Sequence, residues 1–209
     1  MLQTQSVYPT TLALLKELMS LEVLSNFNLV GGTALALQFG HRISVDLDLF
    51  STEEFDDEAL INSLTRKFGK EAITININQR NTLLIKIKDI KVDFLYYPYG
   101  LVKPAIKEDS IRMLSIEDIA PMKLSALSKR GAKKDFFDIY ELISEKFSLK
   151  EIFGFYKQKF ENHELSFLAR SLLYFDDAED DLDPIMIKDY SWSDVKTEIS
   201  KQVNDLISN

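Results

Sequence analysis

One ordered arrangement constrains this chain more than any other. A short apolar run, Asn26 to Val30, leads into Gly31-Gly32-Thr33, and Thr33 to Phe39 has the composition of a short helix that Gly40 can end. About ten residues later, Ser44-Val45-Asp46-Leu47-Asp48-Leu49-Phe50 alternates between apolar residues and Ser or Asp, the period-two pattern of a half-buried strand. Strand periodicity puts Asp46 and Asp48 on one face. A strand, a glycine turn opening a helix, and a second strand carrying paired acids bring the turn and the acids to one edge of a sheet.

The residue types at that edge define a chemistry. Two carboxylates at i and i+2 offer hard, anionic oxygens at a fixed separation, the donors a divalent cation such as Mg²⁺ or Mn²⁺ prefers. A third acid, Asp93, lies in Lys91 to Tyr97 between Val92 and Phe94, so it points away from both apolar neighbours and can join the pair or accept a proton. The turn of Gly31, Gly32 and Thr33 at a helix start presents free backbone amides and a hydroxyl to a phosphate. Each piece has a plainer reading as well: alternating acids on a strand can simply face water, and a Gly-Gly pair can be only a turn.

The remaining sequence supplies the frame. Residues 9–24 place Leu12, Leu15, Leu18 and Met19 at helical spacing, and Glu53 to Phe68 reads as an acidic helix. Ile73 to Asn78, Thr82 to Lys88 and Lys91 to Tyr97 read as adjacent antiparallel strands, and Pro98, Gly100 and Pro104 mark the end of the sheet. Beyond residue 110 the periodicity becomes helical. Two units are therefore expected, 1–108 and 109–209, in an α/β (α+β) fold with a small mixed sheet followed by a helical bundle. Ser115 and Asp118 resemble a capping box, but Pro121 could delay the helix start. After Gly131, Phe136, Tyr140, Ile143 and Phe147 form an apolar stripe, and further helices are expected over 149–160, 162–175 and 192–207.

Several polar clusters carry two readings. Lys123, Lys129, Arg130, Lys133 and Lys134 form either a basic patch or a solvated helix end. His41 and Arg42 either touch phosphate or shape a loop, and the donor fork of Arg42 suits an anion better. The acidic run from Asp176 to Asp183 reads as a solvated turn or as a buttress for the basic helix. It lacks the glycine and terminal glutamate of a calcium loop. Two histidines, His41 and His163, give no spacing typical of an imidazole metal pair.

Composition narrows the setting. With 45% apolar and 28% charged residues among 209, the chain has the makings of a globular protein. A net charge of −8 argues against a broad non-specific nucleic-acid binder. No apolar run approaches the roughly 20 residues that cross a bilayer, and the N-terminus does not read as a signal peptide, so a cytoplasmic location is expected. The absence of cysteine excludes disulfides and thiolate metal sites.

These residues resemble the AbiEii/AbiGii nucleotidyltransferase toxin family of the polymerase-beta-like superfamily. The likeness runs through Gly31-Gly32-Thr33-Ala34-Leu35-Ala36-Leu37, Gly40-His41-Arg42, Asp46-Leu47-Asp48-Leu49-Phe50 and Lys91-Val92-Asp93-Phe94-Leu95. It continues in Lys123-Leu124-Ser125-Ala126-Leu127 with Arg130, in Lys134-Asp135-Phe136-Phe137-Asp138, and in Tyr174 to Glu179 with Trp192 and Lys196. The resemblance implies that Asp46, Asp48 and Asp93 are the catalytic, metal-holding acids. Gly31, Gly32, Thr33, Arg42 and Lys123 would bind the phosphates of a nucleoside triphosphate, and Lys134, Asp135 and Asp138 would line the nucleotide pocket. It further implies transfer of a nucleoside monophosphate to an acceptor hydroxyl, such as the 3′ end of tRNA, by a toxin with an antitoxin partner. A small-molecule nucleotidyltransferase resembling aminoglycoside-modifying enzymes and a non-catalytic nucleotide-binding module are the alternatives.

Overall fold

The computed structural model describes residues 1–160 and 165–208. His163 and the start of the helix expected over 162–175 lie outside them. The first helix, α1 (Pro9–Met19), begins with Pro at its first position, where the missing amide costs nothing. A single turn (Glu22–Leu24) leads to β1 (Phe27–Val30), α2 (Gly31–Phe39) and β2 (Leu47–Ser51). Gly40 ends α2 in the left-handed conformation at φ 68°. The helix α3 (Asp57–Phe68) has Asp56 as its cap, accepting from the amides of Glu58 and Ala59, with acids in its first turn and Arg66 and Lys67 in its last.

Three antiparallel strands follow as expected, β3 (Ile73–Gln79), β4 (Thr82–Ile87) and β5 (Ile90–Tyr96). The sheet does not stop at the prolines. A hairpin of β6 (Ile106–Glu108) and β7 (Ile111–Met113) extends it, giving seven strands in the order β3-β4-β5-β2-β1-β7-β6. Two three-residue strands are too short for alternation to register. Their turn, Asp109 and Ser110 at φ 46° and 68°, adopts the left-handed geometry without the glycine that usually signals it. Because β7 runs parallel to β1, the last strand of the sheet comes from the segment assigned to the helical half.

One face of the sheet carries Leu29, Leu47, Leu49, Leu83, Ile85, Val92 and Phe94, all essentially inaccessible. The other face carries Asp48 and Asp93, which are direct register partners on the parallel strands β2 and β5. Formal strand pairing in β2 begins only at Leu47. Asp46 lies just before it, and Ser44 makes an isolated bridge to Val7.

The helical half consists of α4 (Ile116–Arg130), α5 (Lys133–Glu145), α6 (Leu149–Lys159), α7 (Leu165–Ser171), the single turn α8 (Asp176–Glu179) and α9 (Trp192–Ser208). Pro121 sits inside α4 rather than starting it. Ser115 caps the helix by accepting from the Asp118 amide, and proline early in a helix forfeits few bonds. Gly131, at φ 57°, ends α4 and allows the chain to turn into α5. On α5 the expected stripe is only one margin of the buried face: Phe136, Phe137, Ile139 and Leu142 are the deepest apolar residues, while Tyr140 and Ile143 are half-buried. Asp135, Asp138 and Glu141 are fully buried beside them. The helix α4 packs on α2, α5, α6 and α7, and so joins the sheet's glycine turn to the bundle.

Candidate active site

The glycine turn is shaped around two charges. Gly31 holds φ at 70°, and a β-carbon there would collide with the Asp48 carboxylate. A β-carbon on Gly32 would collide with the Arg42 guanidinium. Thr33 is buried, and its hydroxyl donates to the main-chain carbonyl of Asp46. With that proton committed, the Ser44 hydroxyl donates to Thr33 across 2.8 Å. Thr33 therefore ties the helix start to the acidic segment.

The acids themselves are poorly compensated. Burial raises the Asp48 pKa; the Lys123 charge opposes that shift, and the charges of Asp93 and Asp46 add to it. Asp93 is 9% exposed. Its Oδ2 pairs with Lys91 at 2.9 Å, while its buried Oδ1 finds no hydrogen-bond partner among the described residues.

Beneath the turn lies a second set of acids in the opposite condition. Asp138 accepts from Arg42 through Nε at 2.7 Å and Nη2 at 2.9 Å, from His41 Nε2 at 2.8 Å, and pairs with Lys123. Asp135 accepts from Lys123 at 3.1 Å and from Arg130 at 2.6 and 2.8 Å. Burial alone would raise both pKa values. Arg42, Lys123 and His41 hold Asp138 well below the usual carboxylate range, and Lys123 with Arg130 lowers Asp135. Lys134 points outward and takes no part in this network.

The model of the family described as "Nucleotidyl transferase AbiEii toxin, Type IV TA system" matches residues 13–205. The chain belongs to this family. An uncharacterised Aquifex aeolicus protein, aq_aa25, is 31% identical over 203 residues, covering 93% of this chain and 95% of the relative. JHP933 from Helicobacter pylori has the same fold, with a TM-score of 0.60 at 20% identity over 97% of this chain and 94% of that one. MenT4, a nucleotidyltransferase toxin from Mycobacterium tuberculosis, superposes with a TM-score of 0.59 at 14% identity over 94% and 84% of the two chains. The fold is thus that of the nucleotidyltransferases, and among the described residues no helix is long and apolar enough to cross a membrane.

In this AbiEii family member the expected site residues do not share one cleft, and Asp93, Gly32 and Thr33 line neither of the two clefts that hold most of the others. Gly31, Asp48 and Lys123 line a cleft of about 390 Å³ together with Lys129 and Arg130. Arg42 and Lys134 line an adjoining cleft of about 610 Å³, with Asp46, Asp180 and Asp181. Asp135 and Asp138 line neither and lie buried below. The paired acids are thus divided, Asp46 lining the second cleft and Asp48 the first.

The donor set suits the divalent cation expected of an AbiEii nucleotidyltransferase. Asp48 is crowded by like charges and Asp93 has an unused buried oxygen, and a bound cation would relieve both. Among the described residues, no three acid or histidine side chains already converge on one point.

Sequence reasoning missed other groups. Lys133 is buried, and its Nζ donates to the carbonyl of Asp181 at 2.7 Å and to Asp183 at 3.1 Å, while its backbone amide donates to the Asp181 carboxylate. Asp181 and Asp183 therefore buttress the start of α5 while every acid of the run stays exposed, so the solvated reading also holds. Lys159 and Asp118 form a wholly buried pair at 2.7 Å. Lys133 was legible only as part of a basic patch and Lys159 only as a lysine of an amphipathic helix, and neither pattern announces a tertiary partner.

Proposed function

We propose that this protein transfers a nucleoside monophosphate from a nucleoside triphosphate to an acceptor hydroxyl. The observation that carries the reading is Asp48 and Asp93 in direct register on one sheet face, with the Gly31 turn closed against the Asp48 carboxylate. Asp46 and Asp48 would hold Mg²⁺ or Mn²⁺, with Asp93 completing the set. The cation would screen the phosphates and stabilise the leaving pyrophosphate. The phosphates would lie over the amides of Gly31 and Gly32, flanked by Lys123, Lys129 and Arg130 on one side and Lys134 on the other. The acceptor oxygen bonds to the α-phosphorus as the bond to the β-phosphate oxygen breaks, and the hydroxyl proton leaves to Asp93 where that carboxylate is not taken up by the cation, otherwise to solvent. Thr33 and Ser44 fix the turn against Asp46, and the Arg42–Asp138–Lys123 network holds the helix N-terminus and α4 at a constant distance.

The family description supports a toxin of a toxin–antitoxin pair; on that reading the protein acts in the cytoplasm, where nucleotides and RNA are available, and the 3′ end of tRNA is the acceptor. A specific observation favours a second reading: in the larger cleft Asp46, Asp180 and Asp181 outnumber the cations Arg42 and Lys134, and Arg42 is already paired with Asp138, which suits a cationic small-molecule acceptor. The test is incubation of the protein and Mg²⁺ with each labelled nucleoside triphosphate and either total RNA or an aminoglycoside, beside Asp46→Ala. Label entering RNA only with Asp46 intact is expected. Label entering the aminoglycoside alone favours the second reading, and no labelled product with any acceptor overturns both.

A further inference from the structure

The cleft of Gly31 and Asp48 continues into a cavity of about 380 Å³ that shares Tyr97, Ser125 and Lys129 with it. Its walls are aromatic. Tyr97 and Tyr99 lie 4.7 Å apart between ring centres, Tyr99 and Phe160 4.9 Å, and Tyr156 and Phe160 4.6 Å. Folding has left part of this surface open: Tyr99 is 39% exposed and Phe167, at the mouth, 52%. The cavity is also lined with hydroxyls. Burial raises the pKa of Tyr97, which Tyr99 and Tyr156 raise further, and Tyr156 is raised by burial and by Tyr99, so the phenols lie near one another. Ser125 bonds to Tyr156.

The wall is held in place from behind. Lys159, paired with Asp118, donates to the Gly100 carbonyl at 3.1 Å, and Asp118 accepts from the amides of Val102 and Lys103. The segment bearing Tyr97 and Tyr99 is thus anchored at both carboxylate oxygens of one buried acid, as a preorganised binding surface requires.

We propose that this aromatic cavity is the base subsite for the nucleoside triphosphate, an inference that rests on the nucleotidyl-transfer reading above. Ser125 and Lys129 are one turn apart on α4, so a phosphate at Lys129 and a base among the rings need only a sugar between them. The acceptor's base is a poorer occupant, because a second cleft, lined by Asp46, is left for the acceptor. Rings supply sequence-tolerant stacking, and hydroxyls that both donate and accept can read a base edge. Tyr99 and Ser125 would then set which base is preferred.

Equilibrium binding of the four nucleoside triphosphates and of inorganic tripolyphosphate to the whole chain tests this. Tyr99→Ala should weaken the preferred nucleotide about tenfold, the effect of losing one stacking partner, and leave tripolyphosphate unchanged. Tyr99→Phe should keep the stacking and most of the affinity, and both it and Ser125→Ala should narrow the spread among the four bases. If Tyr99→Ala fails to fold, Phe167→Ala should show the same selective loss. Equal loss of nucleotide and tripolyphosphate, or unchanged nucleotide affinity with a raised KM for the acceptor, overturns the inference while leaving nucleotidyl transfer standing. A wild-type chain that binds neither nucleotide nor tripolyphosphate removes the underlying reading as well.

Discussion

The acids of the sheet edge and the acids of α5 lie on either side of the same glycine turn, the first partly and the second fully withdrawn from water, and their energetics are opposite. Asp138 and Asp135 share Lys123 and each take a two-pronged arginine, so their charges are stabilised more in the folded chain than in water. Asp48 is destabilised as an anion by burial and by Asp93 and Asp46, and Asp93 keeps an oxygen without a partner among the described residues. The difference separates two uses of buried charge. The carboxylates of Asp138 and Asp135 are fully paired within the protein and work as structure, although His41 Nδ1 and Glu141 Oε2 near them lack partners among the described residues. At the sheet edge it is a metal-type donor, Asp93 Oδ1, that is left over, a condition a cation would relieve.

The largest effect that could break this comparison is on stability. Asp138→Ala strands Arg42, Lys123 and His41 in the interior and should cost about 3–5 kcal/mol, measured by urea denaturation. The pH dependence follows from the sign of the shifts. The folded pKa values of Asp138 and Asp135 are depressed, so the unfolded chain binds protons more readily. Their contribution is complete above the ordinary carboxylate pKa of about 3.9 and drains as pH falls through the depressed folded values. The variant should therefore lose part of the acid limb of the stability profile. A loss below about 1 kcal/mol would mean that the network is not the structural element described.

The sheet edge should respond the other way. Asp48→Asn should lower nucleotidyl transfer by about 10²–10³-fold, as removal of a group that organises transition-state charge does, with the melting temperature unchanged or raised. Asp48 has an elevated folded pKa, so its ionised form opposes folding near neutrality and asparagine removes that opposition. The stability gap between the two proteins should close as pH falls through the Asp48 pKa. A variant that loses stability and activity together would place Asp48 with the structural acids.

The two regions also differed in how far the sequence disclosed them. The alternation of Leu47-Asp48-Leu49 and the flanking of Asp93 by Val92 and Phe94 are local, and the pattern alone puts these acids on the face opposite the core. The α5 network is not local. Asp138 takes its arginine and histidine from 96 and 97 residues away, a separation at which no local spacing carries a signal. The hairpin β6–β7 escaped for a different reason, since three residues per strand carry no periodicity and Asp109-Ser110 is a weak turn signal. Lys133 read as part of a basic patch, while its partners, Asp181 and Asp183, lie across the bundle in a run whose acidity alone suited solvent equally well.

The smallest expected effect tests whether the sheet edge is as incomplete as the geometry makes it. Lys91 is half-exposed and pairs with Asp93 Oδ2; despite partial burial its pKa is raised by that contact, so it remains charged and competes for the carboxylate. Replacing it, Lys91→Gln, should change stability by less than about 1 kcal/mol, the range for exposed ion pairs. If Asp93 serves a cation, the same substitution frees both of its oxygens, and the Mg²⁺ concentration giving half-maximal transfer should fall, by no more than about fivefold on the same energetic bound. A midpoint that rises instead would make Lys91 a contributor to the reaction rather than a competitor at its edge, and would bring the sheet-edge acids closer to the self-sufficient network beneath them.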